Sequence, residues 1–153
     1  MILFLIRGLP GSGKSSYPRR LLKEQTLCLE ADQYRYFNPQ NKYIFDPKQT
    51  ADAHKWCQGE ARRILSYGSK NLYVANTFCE RWEMQPYIEM AKEFGFDLEV
   101  VDLFDGGCTN LELASRNIHD VPLATIAEMR DRYEVVWETS NPLPPWKRNA
   151  EQH

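Results

Sequence analysis

The chain has 153 residues, of which 26% are charged and 42% hydrophobic, and its formal net charge is −2. This length and composition are typical of one globular domain with a sizeable core. The small negative charge argues against a strongly basic nucleic-acid binder, although it leaves room for a local basic groove.

The apolar segments predict neither membrane insertion nor export. No apolar run approaches the length of a membrane span, and the apolar N-terminus is too short for a signal peptide. Four cysteines, at positions 28, 57, 79 and 108, are widely spaced and form no Cys-x-x-Cys pair. Scattered thiols fit a reducing compartment, so a cytoplasmic location is expected.

The first elements predict a phosphate-binding loop. Residues 1–6 form an apolar run long enough for one buried strand, and residues 14–24 can form the helix that follows. Between them, residues 8–15 read Gly-Leu-Pro-Gly-Ser-Gly-Lys-Ser, which matches the pattern Gly-x-x-x-x-Gly-Lys-Ser. This pattern is informative only between a strand and a helix, and here it has both neighbours.

The loop predicts ATP and Mg²⁺ as ligands. Its glycines allow consecutive backbone N–H groups to face a phosphate, and the following helix adds its positive dipole end. Lys14 is expected to reach the outer phosphates, and the Ser15 hydroxyl is expected to bind Mg²⁺. The predicted nucleotide-binding residues of the loop are Leu9, Pro10, Gly11, Ser12, Gly13, Lys14 and Ser15.

Strand and helix signals alternate along the rest of the chain, which predicts an α/β fold with a central parallel sheet. Further strands are predicted at residues 26–30, 71–75 and 98–104, and helices at 48–66, 86–94, 109–117 and from 122 onward. Pro86 is placed in the first turn of its helix, where proline is tolerated. The last helix is predicted to turn Leu123, Ile126, Met129 and Tyr133 inward. A capping-box pattern, Thr109-Asn110-Leu111-Glu112, opens the short fourth helix. The predicted division is one domain over residues 1–137 and a proline-rich tail over 138–153.

Polar residues follow the predicted strands, where an open parallel sheet binds its ligands. These are Asp32 after the second strand, Asn76 and Thr77 after the third, and Asp105 after the fourth. Asp32 is a candidate general base, and Arg35 a candidate clamp for an anionic acceptor. The alternative interpretation makes Asp32 a helix N-cap and Arg35 a solvated surface charge, and spacing alone does not choose between them.

The order of motifs resembles the kinase domain of phage-type polynucleotide kinases. The shared features are the phosphate loop, Asp32-Gln33-Tyr34-Arg35, a strand that ends at Asn76-Thr77, and the segments 116–122 and 129–134. The chain is also similar to the wider group of small P-loop kinases that includes the kinase-like domains of ubiquitin-ligase-binding proteins. This resemblance covers residues 1–134 and implies a P-loop kinase fold with a short helical lid.

The resemblance implies an enzyme that phosphorylates the 5′-hydroxyl end of DNA or RNA with ATP and Mg²⁺. Asp32 then matches the general base, and Arg35 matches an arginine that engages the acceptor phosphate. Arg116 falls in the lid, whose arginines contact the ATP phosphates, and an arginine there would offset charge on the transferred group. Thr77 is assigned to the substrate side of the site.

The chain departs from the family pattern in two places that matter for chemistry. Its third strand ends in Ala75-Asn76, where relatives usually carry an acid, and no second arginine follows Arg116 in the lid. Asn76 is expected to orient Arg35 or a water instead. His119, in the lid segment, is expected to make a structural hydrogen bond, because phosphoryl transfer does not require an imidazole.

Two other function classes remain open at this point. A P-loop kinase of this kind could act on a nucleoside, another small molecule or a hydroxymethylated DNA base. A regulatory module could retain nucleotide binding without catalysis, which the replacement at Ala75 favours and the intact Asp32 opposes.

Overall fold

The computed structural model describes residues 1–21 and 26–148. In chain order, the strands and helices are β1 (Ile2–Gly8), α1 (Ser16–Leu21), β2 (Thr26–Leu29), α2 (Thr50–Tyr67), β3 (Asn71–Asn76), α3 (Arg81–Phe94), β4 (Asp97–Phe104), α4 (Asn110–Arg116) and α5 (Leu123–Arg132). Short 3₁₀ turns cover Ala31–Tyr36, Pro47–Gln49, Trp137–Thr139 and Pro145–Lys147. The four strands form one parallel sheet in the order β2-β3-β1-β4, which confirms the predicted α/β architecture.

The central strand β1 packs on both faces of the sheet because its side chains alternate. Leu3 and Leu5 are fully buried in the larger core cluster, to which α2 and α3 contribute. Ile6 is buried in a smaller cluster on the other face, where Phe4 stacks on Tyr73 of β3 at 4.3 Å between ring centroids. A central strand that is buried on both faces of the sheet needs apolar side chains on both, which accounts for the uninterrupted apolar run of residues 1–6.

Helix α3 begins five residues earlier than the sequence prediction. Its N-cap is Glu80, which forms a capping box with Glu83, so Arg81 is the first helical residue. Pro86 therefore lies inside the helix and not in its first turn. The prediction weighted proline as a start signal, whereas the reciprocal hydrogen bonds of the capping box determine the start.

The two C-terminal helices largely follow their sequence signals. The Thr109 side chain accepts a hydrogen bond from the backbone N–H of Glu112, which confirms the predicted capping box of α4. Helix α5 follows Pro122 and buries Ile126, but Leu123 is 43% exposed and does not point inward as predicted. The predicted first helix, 14–24, begins at Ser16, and its last residues lie outside the described part of the chain.

Arg7, at the end of β1, is fully buried and joins four segments of the fold. Its guanidinium donates hydrogen bonds to the carbonyl oxygens of Phe78, Cys79 and Glu134 at 2.8–3.0 Å. It also pairs with the Asp102 carboxylate of β4 at 3.0 Å. The chain after α5 is thus attached to the end of β1 from which the phosphate loop begins.

The beginning of the predicted tail packs against the start of α3. The Arg81 side chain donates hydrogen bonds to the carbonyl oxygens of Glu138 and Ser140. Trp146 meets Trp82 edge to face, with 5.2 Å between ring centroids. Residues 149–153 of the predicted tail lie outside the described residues.

Among the described helices, none is both long and apolar enough to cross a membrane.

Candidate active site

The phosphate loop lies between β1 and α1, as its motif predicts, and is anchored to both neighbouring strands. The N–H of Gly8 donates to the carbonyl of Thr77 after β3 at 3.2 Å. The N–H of Leu9 donates to the carbonyl of Phe104 at the end of β4 at 2.7 Å. Thr77, predicted on the substrate side, therefore supports the loop through its main chain.

Gly11 packs the loop against the lid. Its φ of +82° is a left-handed value, and a Cβ atom there would lie 2.5 Å from the carbonyl oxygen of Leu113 in α4. Both the backbone conformation and the close approach therefore require glycine. The neighbouring Gly13 also has a positive φ, 103°, with open space on its Cβ side.

We expect Gly11→Ala to destabilise the protein by roughly 1–3 kcal/mol, because it adds steric overlap with main-chain atoms to a strained φ. The measurement is urea denaturation together with an ATP-binding titration, in which affinity should also fall. Gly59→Ala is the control: Gly59 lies within α2, and a Cβ added there would have no atom within 4 Å. Alanine there should stabilise by about 0.5–1 kcal/mol, and equal effects at both positions would contradict this account.

The Lys14 ammonium donates to the Leu9 carbonyl across the loop at 3.1 Å. Burial lowers the pKa of Lys14 to about 8, and the negative charges of Glu30 and Asp32 partly offset this effect. The Ser12 hydroxyl is buried and has no hydrogen-bond partner among the described residues. A poorly solvated cation and an unpaired hydroxyl in a glycine-rich turn fit a nucleotide phosphate.

The residues present fit Mg²⁺ as a companion of that phosphate. Within the described chain, no group of three or more His, Cys, Asp or Glu side chains could hold a metal ion. Mg²⁺ commonly takes only one or two protein ligands and completes its shell with phosphate oxygens and water. Ser15, at the last position of the loop and half-buried, is the residue that would contribute the hydroxyl.

The lowered pKa of Lys14 predicts proton uptake when Mg-ATP binds. In the free protein Lys14 loses its proton as pH rises through about 8, whereas bound phosphate favours the charged form. Affinity should therefore fall as pH rises above that value. Calorimetry in two buffers of different ionisation enthalpy measures this proton uptake. The uptake should be clear at about pH 8.5 and much smaller at about pH 7. Buffer-independent heats at the higher pH would contradict the assignment.

Asp32 lies in the 3₁₀ turn that follows β2, and the structure excludes its alternative role as N-cap. The N-cap is Glu30, whose side chain forms a capping box with Gln33. The N–H of Ala31 donates to the Asn76 side-chain oxygen at 2.9 Å. Asn76 therefore fixes the turn that carries Asp32, and it makes no hydrogen bond to Arg35, one of the two partners expected from the sequence.

The Asp32 carboxylate is 47% exposed and contacts two rings. The Tyr43 hydroxyl donates to its Oδ1 at 3.3 Å, and the Nε2 of His119 lies 3.6 Å from its Oδ2. Burial and the adjacent Asp32 charge raise the pKa of Tyr43 to about 12, so this hydroxyl stays protonated at neutral pH. A half-exposed carboxylate held in this way can accept a proton from an incoming hydroxyl.

Arg35 is buried beneath the segment that follows the 3₁₀ turn. Its guanidinium donates to the Asp46 carbonyl at 2.9 Å and to the Thr50 hydroxyl at 3.0 Å, and it lies 4.8 Å from the centroid of the Phe45 ring. Its Nε is buried without a partner in the described structure. Burial excludes the alternative of a solvated surface charge, whereas the acceptor clamp stays a prediction. As placed here, Arg35 supports residues 36–50.

The lid residue Arg116 lies at the end of α4, where one guanidinium nitrogen is 2.9 Å from the Cys108 sulfur. A second arginine, Arg130 of α5, organises the turn before α4. It donates to the Asp105 carboxylate at 2.7 Å and to the Asn110 side chain at 2.8 Å. Asp105, predicted at the ligand edge, is thereby used to hold the lid beside the phosphate loop.

The sequence analysis gave no role in this region to Arg7, Tyr43 or Arg130. For His119 it expected only a structural hydrogen bond, whereas the structure places its Nε2 3.6 Å from the Asp32 carboxylate. A charged residue that directly precedes the phosphate loop, as Arg7 does, was the available signal for a buried ion pair. Arg130 lies in segment 129–134, which carries part of the family resemblance, and that was the available signal for it. Tyr43 comes from a segment whose local pattern gives no such signal.

Comparison with known proteins agrees with this architecture. The sequence model of the family described as AAA domain matches residues 3–136. Human NEDD4-binding protein 2 is 35% identical over 141 residues, which cover 88% of this chain and 8% of that protein. The chain therefore spans a small part of that relative's length.

Two solved structures share the fold at low sequence identity. A chain in the structure of the Pnkp1/Rnl/Hen1 RNA repair complex is 17% identical with a TM-score of 0.70, over 97% of this chain and 50% of that one. A gluconokinase from Sinorhizobium meliloti is 16% identical with a TM-score of 0.54, over 87% and 75%.

Proposed function

This chain belongs to the AAA domain family, and from that premise we propose that it is an ATP-dependent kinase that phosphorylates the 5′-hydroxyl end of DNA or RNA. The observation that carries the proposal is the position of Asp32. Its half-exposed carboxylate lies close enough to the phosphate loop for its charge to act on Lys14. A base beside the terminal phosphate is what transfer to a hydroxyl requires.

The proposed division of work follows the site. Lys14 and the loop amides hold the β- and γ-phosphates, and Ser15 holds Mg²⁺. Bound Mg²⁺ would neutralise charge on the phosphate oxygens. Asp32 takes the proton of the acceptor hydroxyl, and Arg116 approaches the transferred group from the lid. Thr77 remains on the proposed substrate side, and Arg35 remains the proposed acceptor-side arginine.

Two similarities support a nucleic-acid acceptor. The motif order resembles polynucleotide kinase domains, and the fold is shared with a chain of an RNA repair complex. Single-stranded DNA or RNA with a 5′-hydroxyl is therefore the proposed partner.

One observation favours a second candidate, a kinase of nucleosides or other small hydroxyl compounds. Two of the three Arg35 nitrogens are already bonded to protein oxygens, and the third is buried. An arginine placed in this way does not offer a free fork to an acceptor phosphate. An uncharged acceptor would not need one.

Transfer of labelled γ-phosphate from Mg-ATP separates these possibilities. Parallel reactions would contain a 5′-hydroxyl oligonucleotide, the same strand with a 5′-phosphate, and a nucleoside mixture. Label on the 5′-hydroxyl strand alone is the expected result. Label on the blocked strand would move the acceptor to a base, and label on nucleosides would support the second candidate. Confirmed ATP binding without transfer to any acceptor would favour a regulatory module.

A further inference from the structure

Two aromatic side chains from different segments contact the two carboxylate oxygens of Asp32. We propose that Tyr43 and His119 form a clamp that positions the Asp32 carboxylate for proton abstraction, and that this clamp links the lid to the base. The inference rests on the proposed kinase function. It assigns positioning residues that neither the motif order nor the comparisons indicate.

Tyr43 holds one side of the carboxylate. Its hydroxyl donates to Oδ1 of Asp32 at 3.3 Å, and it is carried by the segment that leads from the 3₁₀ turn to α2. That segment is preformed, because the Asn38 side chain donates to the carbonyl oxygens of Arg35 and Lys42. Tyr43 is therefore presented to Asp32 by a fixed backbone and can restrict rotation of the carboxylate.

His119 holds the other side, from the loop between α4 and α5. The Asn117 side chain fixes this loop by accepting from the N–H of Val121 at 2.8 Å and donating to the Val121 carbonyl at 3.3 Å. The His119 ring stacks on Tyr43, with 4.1 Å between centroids and 17° between planes. Its Nε2 lies 3.6 Å from Oδ2 of Asp32, a polar contact that is longer than a hydrogen bond.

Burial of His119 costs free energy that a purely structural role for its side chain would not explain. The side chain is 15% exposed, and its Nδ1 is buried without a hydrogen-bond partner in the described structure. Burying an unpaired polar atom costs free energy that an apolar ring in the same place would avoid. What histidine offers here that an apolar ring would not is its second nitrogen, Nε2, which faces Asp32.

The clamp also opposes a competing attraction. Asp32 lies close enough to Lys14 of the phosphate loop for the two charges to attract each other, and the two contacts restrict movement of the carboxylate in response to that attraction. Held from two sides, Asp32 keeps an oxygen lone pair available to the acceptor hydroxyl. Because His119 follows Arg116 by three residues in the lid, placement of the lid and orientation of the base occur together.

Two conservative variants remove the polar contacts and keep the stacked rings: Tyr43→Phe and His119→Phe. Each should lower the single-turnover rate about 10-fold, within the roughly 10²-fold cost of an ångström-scale misplacement. The KM values for ATP and acceptor should change little. Tyr67→Phe is the matched control, since Tyr67 is 71% exposed on α2, and it should leave the rate unchanged.

The decisive measurement is a double-mutant cycle with Asp32→Asn. If both rings act through Asp32, adding Tyr43→Phe or His119→Phe to Asp32→Asn should cause no further loss of rate. Equal losses in the presence and absence of Asp32, or an effect on KM alone, would overturn the clamp. A wild-type protein that transfers no phosphate to any acceptor would instead overturn the proposed function.

Discussion

Asp32→Asn is expected to lower the rate of phosphoryl transfer by about 10²- to 10⁴-fold, the range that a general base contributes. Asparagine preserves the size of the side chain and can still meet the Tyr43 hydroxyl, but it cannot accept the acceptor proton. The measurement is transfer of labelled γ-phosphate in a single turnover. Wild-type transfer would be measured in parallel as the reference.

ATP binding by the same variant should be little changed at about pH 7. The Asp32 charge raises the pKa of Lys14, so its loss lowers that pKa further. Binding should then begin to weaken at a lower pH than in the wild type, and the difference should grow as pH rises. Asp131→Asn, an exposed carboxylate on α5, is the matched control and should retain full activity. Retained turnover in Asp32→Asn, or an equal loss of ATP binding at neutral pH, would show that Asp32 is not the base.

Arg7→Met is expected to lower the free energy of unfolding by about 3–5 kcal/mol, the cost of removing one partner of a buried ion pair. The lower end is expected, because the Asp102 side chain is 29% exposed and can be partly solvated. Methionine fills similar space but leaves the carbonyl oxygens of Phe78 and Cys79 without their donor. Urea denaturation would measure the change.

The matched control is Arg62→Met, which removes a surface ion pair. Arg62 pairs with Glu93 at 2.8 Å, and both side chains are more than half exposed, so the expected cost is about 0–1 kcal/mol. If Arg7→Met does not yield folded protein, Tyr133→Phe tests the same cluster more gently, since the Tyr133 hydroxyl donates to Asp102 at 2.6 Å. A cost for Arg7→Met no larger than that of the control would contradict the proposed role.

Local patterns predicted the elements whose causes are local. The phosphate loop was predictable because a glycine-rich turn between an apolar strand and a helix has few other structural uses. The capping box of α4 depends on residues three positions apart, and it formed as predicted. The start of α3 depends on the same kind of signal at Glu80 and Glu83. It was mispredicted because Pro86 was given more weight than the two carboxylates.

The roles of polar side chains were harder to predict than the elements that carry them. Asp32 was correctly placed after β2, but spacing did not exclude an N-cap role, which Glu30 takes in the structure. Arg35 was expected to face the acceptor or the solvent, whereas the segment that follows it covers its guanidinium. The oxygen atoms that a long side chain reaches depend on which later segments of the chain fold against it, as Asp46 and Thr50 do against Arg35.

The sequence alone therefore determined the class of this protein. An apolar strand, a loop that requires glycine and a following helix define a nucleotide site through contacts within about 15 residues, and alternating strand and helix signals define a parallel sheet. Only the tertiary structure decided the strand order, the burial of Arg7 and the meeting of Asp32, Tyr43 and His119. These depend on pairings between residues up to 127 positions apart, as between Arg7 and Glu134, and no local propensity encodes which distant segments will pack together.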